Sequence, residues 1–322
     1  MDQPDRLDAF RQYRPLLFAI AYRMLSSVAD AEDMVQETFI RWQQASDGAI
    51  HSAKAYLSSI ITRLCIDYLR SARVRREQYV GTWLPEPIST PATTDPAQSA
   101  ELADTLSTAF LLLLETLSPV ERAVFLLREA FDYDYDTIGT IVDKRPENCR
   151  QIVRRAKRHL STQRPRFEPS QQRQEQLVHQ FLRACHAGDF HGLMALLSED
   201  ITIATDGGGK ARAIPRPLQG AAKVARFLLT IRKQKPADTI YQIQGVNGQP
   251  GILTYVDRRL FSVATFGFDA EHIRAIFIVN NPDKLACVEE SLDGAPRCRR
   301  DAISIPGSQD APEAVKTPGM TH

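Results

Sequence analysis

The sequence has almost no net charge: 40 Lys and Arg stand against 39 Asp and Glu in 322 residues, a formal +1. A uniformly basic coat for nucleic acid and a strongly acidic, self-solvating chain are both excluded, so any basic surface must be confined to a segment. Long hydrophobic runs are missing too. The longest, Leu16 to Tyr22, has seven residues, far short of the roughly 20 that a helix needs to cross a bilayer, and no membrane span is expected. The opening residues Met1-Asp2-Gln3-Pro4-Asp5-Arg6 lack a basic stretch followed by an apolar one and do not read as a signal peptide, which puts the protein in the cytoplasm. Cysteine is sparse and scattered: Cys65, Cys149, Cys185, Cys287 and Cys298 form no CxxC pair and no Cys/His ligand spacing. Neither a disulfide framework, nor a metal site, nor a cofactor is implied.

What is present is enough apolar residue, 43%, to build two or three domain cores. From Leu7 to about Tyr79 apolar positions recur at three and four, which predicts three or four helices. Thr82 to Ala100 carries Pro85, Pro87, Pro91 and Pro96 among Ser and Thr and reads as a linker without regular hydrogen bonding. Helical periodicity returns from Glu101 to His159, restarting at Ser118-Pro119 with Ser as cap and Pro at the first helical position. A polar linker, Ser161 to Gln174, leads into a helix from about Glu175 to Ala187. Short β-branched segments follow at Ile201–Thr205, Thr239–Val246, Gly251–Val256, Leu260–Phe268 and Ile273–Val279, with a helix at Ala221 to Lys233. The expected architecture is therefore multidomain: residues 1–79 and 104–163 all-α, a linker at 80–103, an α+β unit at 174–290 and a disordered polar tail at 291–322.

The basic charge is concentrated in one place. Between Asp143 and Arg166 there are nine Lys or Arg against two acids. Tyr135 to Arg158 reads as two short helices around a tight turn, and on the second Cys149, Ile152, Val153, Ala156 and Leu160 share one face while Arg150, Gln151, Arg154, Arg155 and Arg158 project from the other. An arginine-rich helix alone fits a solvated surface. The preceding helix and turn make it a helix-turn-helix whose guanidinium forks match guanine edges and phosphates in a major groove. A second basic stretch, Lys54 to Glu77, has six cations against two acids and interleaved aromatics, Tyr56 and Tyr68 with Trp42 nearby, a combination that suits an unstacked single strand, although each aromatic taken singly fits a core. Asp30, Asp33 and Glu37 share a helical face without any histidine, which fits a solvated or protein-binding surface better than acid/base chemistry.

These motifs resemble a known family. Asp30 to Phe39 is similar to the region 2 helix with which sigma-70 family factors bind core RNA polymerase, and Leu117-Ser118-Pro119-Val120-Glu121-Arg122 with the helix-turn-helix resembles region 4. With only a linker between them, the N-terminal half is similar to extracytoplasmic-function sigma factors. Trp83-Leu84-Pro85-Glu86-Pro87, Asp206-Gly207-Gly208-Gly209-Lys210 and Asn281-Pro282-Asp283-Lys284-Leu285 resemble motifs of the SigJ-like subgroup, which carries a C-terminal SnoaL-like domain on a cone-shaped NTF2-like fold.

The resemblance implies core polymerase and promoter DNA as partners. It places Asp33, Gln36 and Glu37 at the polymerase, Asp47 to Ser52, Lys54, Tyr56, Arg63 and Arg70 at the −10 element, and Arg150, Gln151, Arg154, Arg155 and Arg158 at the −35 element. The recognition helix opens Arg145-Pro146-Glu147-Asn148 where smaller residues are common, so base preference does not transfer. The resemblance also implies a fused regulator in place of a separate anti-sigma factor, and no enzyme. The alternative is a SnoaL-like domain acting as a small-molecule sensor or cyclase, for which His179, His186, His191, Asp206, Asp257 and His272 are the acid/base inventory. The glycines of Asp206 to Lys210 equally suit a plain hairpin turn, and no helix with P-loop spacing follows them.

Overall fold

The computed structural model describes residues 3–45, 52–77, 79–90, 106–162 and 169–293. Helices α1 (Gln3–Leu25), α2 (Val28–Gln44) and α3 (Ala53–Glu77) pack together around Leu17, Ile20, Tyr22, Val35, Trp42, Leu57 and Ile61. Ser27 begins α2 by accepting from the Asp30 N–H, and the Arg6 guanidinium closes its other end on the carbonyls of Trp42 (3.0 Å) and Ala45 (2.7 Å). A cation on the last carbonyls of a helix both satisfies orphan acceptors and opposes the macrodipole.

Four shorter helices follow: α4 (Thr108–Leu114), α5 (Pro119–Glu129), α6 (Tyr135–Val142) and α7 (Pro146–Ser161). The Ser118-Pro119 signal is realised as a capping box closed by Glu121. Between α6 and α7 the chain turns through Asp143 in the left-handed region, φ +53°. Gly139 is required there because a Cβ would come within 2.6 Å of the Lys144 carbonyl oxygen. These helices do not form a core of their own. Phe125, Leu126, Tyr133, Ile138 and Val153 continue the core of α1 to α3 as one body.

The C-terminal unit is a six-stranded sheet in the order β2-β1-β6-β5-β4-β3: β1 (Leu197–Asp206), β2 (Leu218–Gln219), β3 (Ile240–Val246), β4 (Gln249–Val256), β5 (Arg259–Phe268) and β6 (Ile273–Val279). Only β1 and β6 are parallel neighbours. Helices α8 (Gln171–Ala187), α9 (Phe190–Leu196) and α10 (Ala221–Lys233) bury one face through Leu177, Phe181, Val224, Leu228, Ile252 and Phe266. The other face, with Val246, Leu253, Val263, Phe277 and Val279, is covered by α11 (Pro282–Asp293) and by Leu84 of the linker.

Several expectations are corrected. Trp83 to Thr90 is not free of regular hydrogen bonds: Ser89 bridges Val246 in antiparallel fashion, and Thr90 N–H donates to Gly245 O (3.0 Å) at the end of edge strand β3. Pro85 and Pro87 fall between the residues whose N–H groups donate, Leu84, Glu86, Ile88 and Thr90. Helix α8 starts at Gln171, inside the stretch read as linker, because Ser170 caps it. The stretch 291–293, read as tail, is the last turn of α11. The two-residue β2 was absent from the strand forecast, being too short for any alternation. The remaining tail lies outside the described residues.

Candidate functional site

The three short motifs meet at one carboxylate. Asp206 ends β1 fully buried. Its Oδ2 accepts from the Leu84 N–H (2.9 Å) and from Lys284 Nζ (2.8 Å), and its Oδ1 from the Tyr79 hydroxyl (2.6 Å) and the Gly208 N–H (3.0 Å). Lys284 Nζ also donates to the Leu84 carbonyl (2.5 Å) and lies 4.2 Å from the Trp83 ring centre. Asn281 donates to the Tyr79 hydroxyl (2.9 Å). Burial, and the carboxylate it bonds, hold the Tyr79 phenol far above its ordinary range, so it remains a donor. Gly208, at φ +58°, is where a Cβ would collide with the Asn281 amide. The glycine turn therefore does not make a hairpin; it lets the α11 start approach. Lys210 reinforces this from outside with an ion pair to Asp283 (2.6 Å). Pro85, Pro87 and Leu285 are buried beside the clamp, Pro282 and Gly209 exposed, and Gly207 holds the turn with its carbonyl accepting from Lys210 and Ala211.

The same linker is held on its opposite side by the first helical unit. Glu86 accepts from the Val28 N–H (2.6 Å) and the Ser27 hydroxyl (3.1 Å), which places a carboxylate at the start of α2, and its own N–H donates to Ser26 O (2.9 Å). Burial nevertheless outweighs those bonds and raises the Glu86 pKa above the usual carboxylate range. Tyr22 donates to Glu86 O (2.6 Å) and accepts from Asn247 (2.8 Å), whose amide also donates to Leu106 O (3.1 Å) and accepts from the Ile88 N–H (2.9 Å). One buried asparagine thus ties together both helical units, the linker and the sheet.

The helical units are also stitched directly. Arg122 donates to Met24 O (2.6 Å), and the Ser58 and Tyr133 hydroxyls bond at 2.7 Å. Arg63 caps α6 on the carbonyls of Ile141 (2.8 Å) and Thr140 (2.9 Å), while Lys54 sits over the Tyr133 ring. So Arg63 and Lys54, expected at a nucleic-acid surface, are engaged by the second unit. Tyr56 is half-buried with its ring 5.8 Å from that of Trp42, as an aromatic that packs on a core would be. Ser52 caps the start of α3 and Arg70 is exposed beside Asp67; Asp47 lies outside the described residues. On α7 the apolar face Cys149, Ile152, Val153, Ala156 and Leu160 is buried, and Arg150, Gln151, Arg154, Arg155 and Arg158 all face solvent. Arg150 leans on Glu147 and over Tyr135. On α2, Asp33 and Gln36 are exposed, Glu37 pairs with Arg41 (2.8 Å), and Ile40 stands out of the same face.

Residues 9–75 match the family model for sigma-70 region 2, and residues 107–160 that for sigma-70 region 4. The probable ECF RNA polymerase sigma factor SigI of Mycobacterium tuberculosis is 33% identical over 299 residues, 91% of this chain and 100% of the relative. The chain belongs to the extracytoplasmic-function sigma factors. Sigma factor SigJ of the same organism is 35% identical over 251 residues, 76% of this chain and 80% of its own. The crystal structure of SigJ aligns with a TM-score of 0.69 at 29% identity, covering 88% of this sigma factor and 99% of SigJ, so the likeness extends through the C-terminal, NTF2-like sheet domain. As a sigma factor it acts with core RNA polymerase on promoter DNA to initiate transcription. Among the described residues no helix is long and apolar enough to cross a membrane.

The acid/base inventory does not converge. His179, His191 and Asp257 are exposed, His272 sits in a turn with Asp269, and Asp206 is consumed by the clamp. His186 alone of them stands on the α8 face, edge-on to Tyr241 at 4.9 Å. Asn247 and Tyr79 were not anticipated. Val246-Asn247-Gly248 looks in sequence like an ordinary hairpin turn, and Tyr79 like the frayed end of a helix; only burial distinguishes them.

Proposed function

We propose that the C-terminal domain is a fused regulator that grips the linker and thereby sets how region 2 and region 4 are presented to the promoter, taking the place of a separate anti-sigma factor. The observation that carries this reading is the buried Asp206–Lys284 pair, which bonds both the N–H and the carbonyl of Leu84. A backbone held at both polar groups by another domain cannot slide. In this reading Arg150, Gln151, Arg154, Arg155 and Arg158 read the −35 duplex, since their face is free, and Asp33, Gln36 and Glu37 dock on core polymerase. Arg63, Lys54 and Arg70 meet the −10 element only after region 2 parts from region 4, because Arg63 is spent on the α6 carbonyls in the closed form. The domain is not an enzyme in this proposal: its acid/base groups are dispersed, and its most buried carboxylate is structural. The factor works where the core polymerase works.

Promoter-specific transcription with purified core polymerase tests the reading, comparing the full chain with chains ending after Asp293 and after Ser161 at matched salt, because phosphate contacts are salt-sensitive. The first truncation should initiate at least as well as the full chain and the second less well. Equal activity of all three would make the third domain a passenger.

A further inference from the structure

At the end of α10, away from the linker clamp, two half-buried cations each carry an enclosed nitrogen without a partner. Lys235 follows α10, and its Nζ is enclosed with no hydrogen-bond partner, 3.2 Å from the Phe261 ring centre. Arg232, in the last turn of α10, has a buried Nε that is likewise without a partner. Among the described residues neither has a carboxylate within ion-pair distance. Arg232 acts electrostatically on Cys185, His186 and Tyr241, which places it at the junction of α8 and β3.

The sheet opposite is polar. Tyr241, Thr254 and Ser262 are direct partners across β3, β4 and β5, so they form one row on one face. Tyr241 packs with the α8 and α10 core, which fixes that face as the helix-covered one. Thr254 and Ser262 are buried, and none of the three hydroxyls bonds to another described residue. The next row, Ile243, Ile252, Ala264 and Ile278, is apolar. An enclosed N–H is ordinarily paired, and one on a cation nearly always so, which Lys235 Nζ and Arg232 Nε are not. A ring quadrupole relieves an ammonium only in part. Burial alone pulls the Lys235 pKa down to about 8, with no carboxylate to restore it.

We propose that Arg232, beside Tyr241 and His186, and Lys235, against the Phe261 that precedes Ser262, form with the Tyr241-Thr254-Ser262 row a binding site for a small anion bearing a carboxylate or phosphate group. The anion supplies the missing counter-charge and acceptors, and the hydroxyl row donates to its remaining oxygens. Strand β3 then runs from this site to Gly245 and Asn247, where the linker is bonded, so the ligand sits on the same strand that holds Ile88 and Thr90. This gives the fused domain the means to sense a metabolite, and it rests on side chains that take no part in the clamp.

Thermal unfolding of the full chain, titrated with inorganic phosphate or with benzoate at ionic strength held constant by chloride, tests the site. A ligand that binds only the folded state raises Tm in a saturable way. Such a rise is expected with at least one anion and should vanish in Lys235→Met and in Arg232→Met; phosphate alone or benzoate alone identifies which headgroup is taken. Nitrogen NMR of the Lys235 ammonium in the unmodified chain gives a second reading that needs no variant, its pKa climbing from about 8 as the anion binds. No saturable shift with either anion and no change at Lys235, or a shift retained in Lys235→Met, would overturn the proposal.

Discussion

Replacing Asp206 by alanine should be the most damaging single change in the linker clamp. The carboxylate is wholly inaccessible and accepts from four donors: Tyr79, Leu84, Gly208 and Lys284. Truncation strands a lysine ammonium whose side chain is 6% exposed, together with a half-buried phenol and a buried amide. Removing one partner of a buried ion pair costs about 3–5 kcal/mol, because the other charge stays behind. Lys284→Met should cost clearly less, since Asp206 keeps three donors, and the pair Asp206→Ala with Lys284→Met should cost less than the sum of the two. Urea unfolding followed by tryptophan fluorescence reads this locally: Trp83 lies against Lys284, whereas Trp42 is buried in region 2. A loss for Asp206→Ala below about 1 kcal/mol, the range of exposed pairs, or strict additivity in the double variant, would refute the reasoning.

Arg154→Ala or Arg155→Ala should weaken binding to −35 DNA by about 1–3 kcal/mol if the lost fork is bidentate to guanine. Titration of specific and scrambled duplexes separates that outcome from an equal loss on both, which marks a phosphate contact. Asp33→Lys should weaken association with core polymerase and leave Tm unchanged, since Asp33 is exposed; co-elution with core and a melting curve check both halves. Glu86 bears on pH: its folded pKa is raised, so its contribution is full below the ordinary carboxylate pKa and is lost as pH rises through the raised value. Stability should therefore fall through that window in the native chain and be flatter in Glu86→Gln, as chemical denaturation across pH will show.

Much of the helical half was legible because its signals are local. The Ser118-Pro119 cap, the apolar stripe of α7 and the solvent-facing arginines each follow from residues within two turns, and the structure places them accordingly. The sheet strands emerged from β-branched runs for the same reason. What the sequence hid was nonlocal. A proline-rich linker looks unstructured by composition, yet Leu84 becomes part of the sheet domain's core, a burial worth about 1.5–3 kcal/mol that no neighbouring residue announces. Nothing near Arg63 in sequence announces that the carbonyls at the end of α6 take its guanidinium. Asn247 reads as a turn residue, and its φ of +52° agrees, but its bonds reach positions 22, 88 and 106.

Hydrogen exchange at the linker amides of the full chain tests the central claim most directly. Leu84, Ile88 and Thr90 donate to the sheet domain, at Asp206, Asn247 and Gly245, whereas Glu86 donates to Ser26 of region 2. In the chain carrying Asp206→Ala and Asn247→Ala, the Leu84, Ile88 and Thr90 amides should lose their protection while Glu86 keeps more of its own. Unchanged protection at Leu84 and Ile88 would mean that the C-terminal domain does not hold the linker, and the account of its regulatory role would fail.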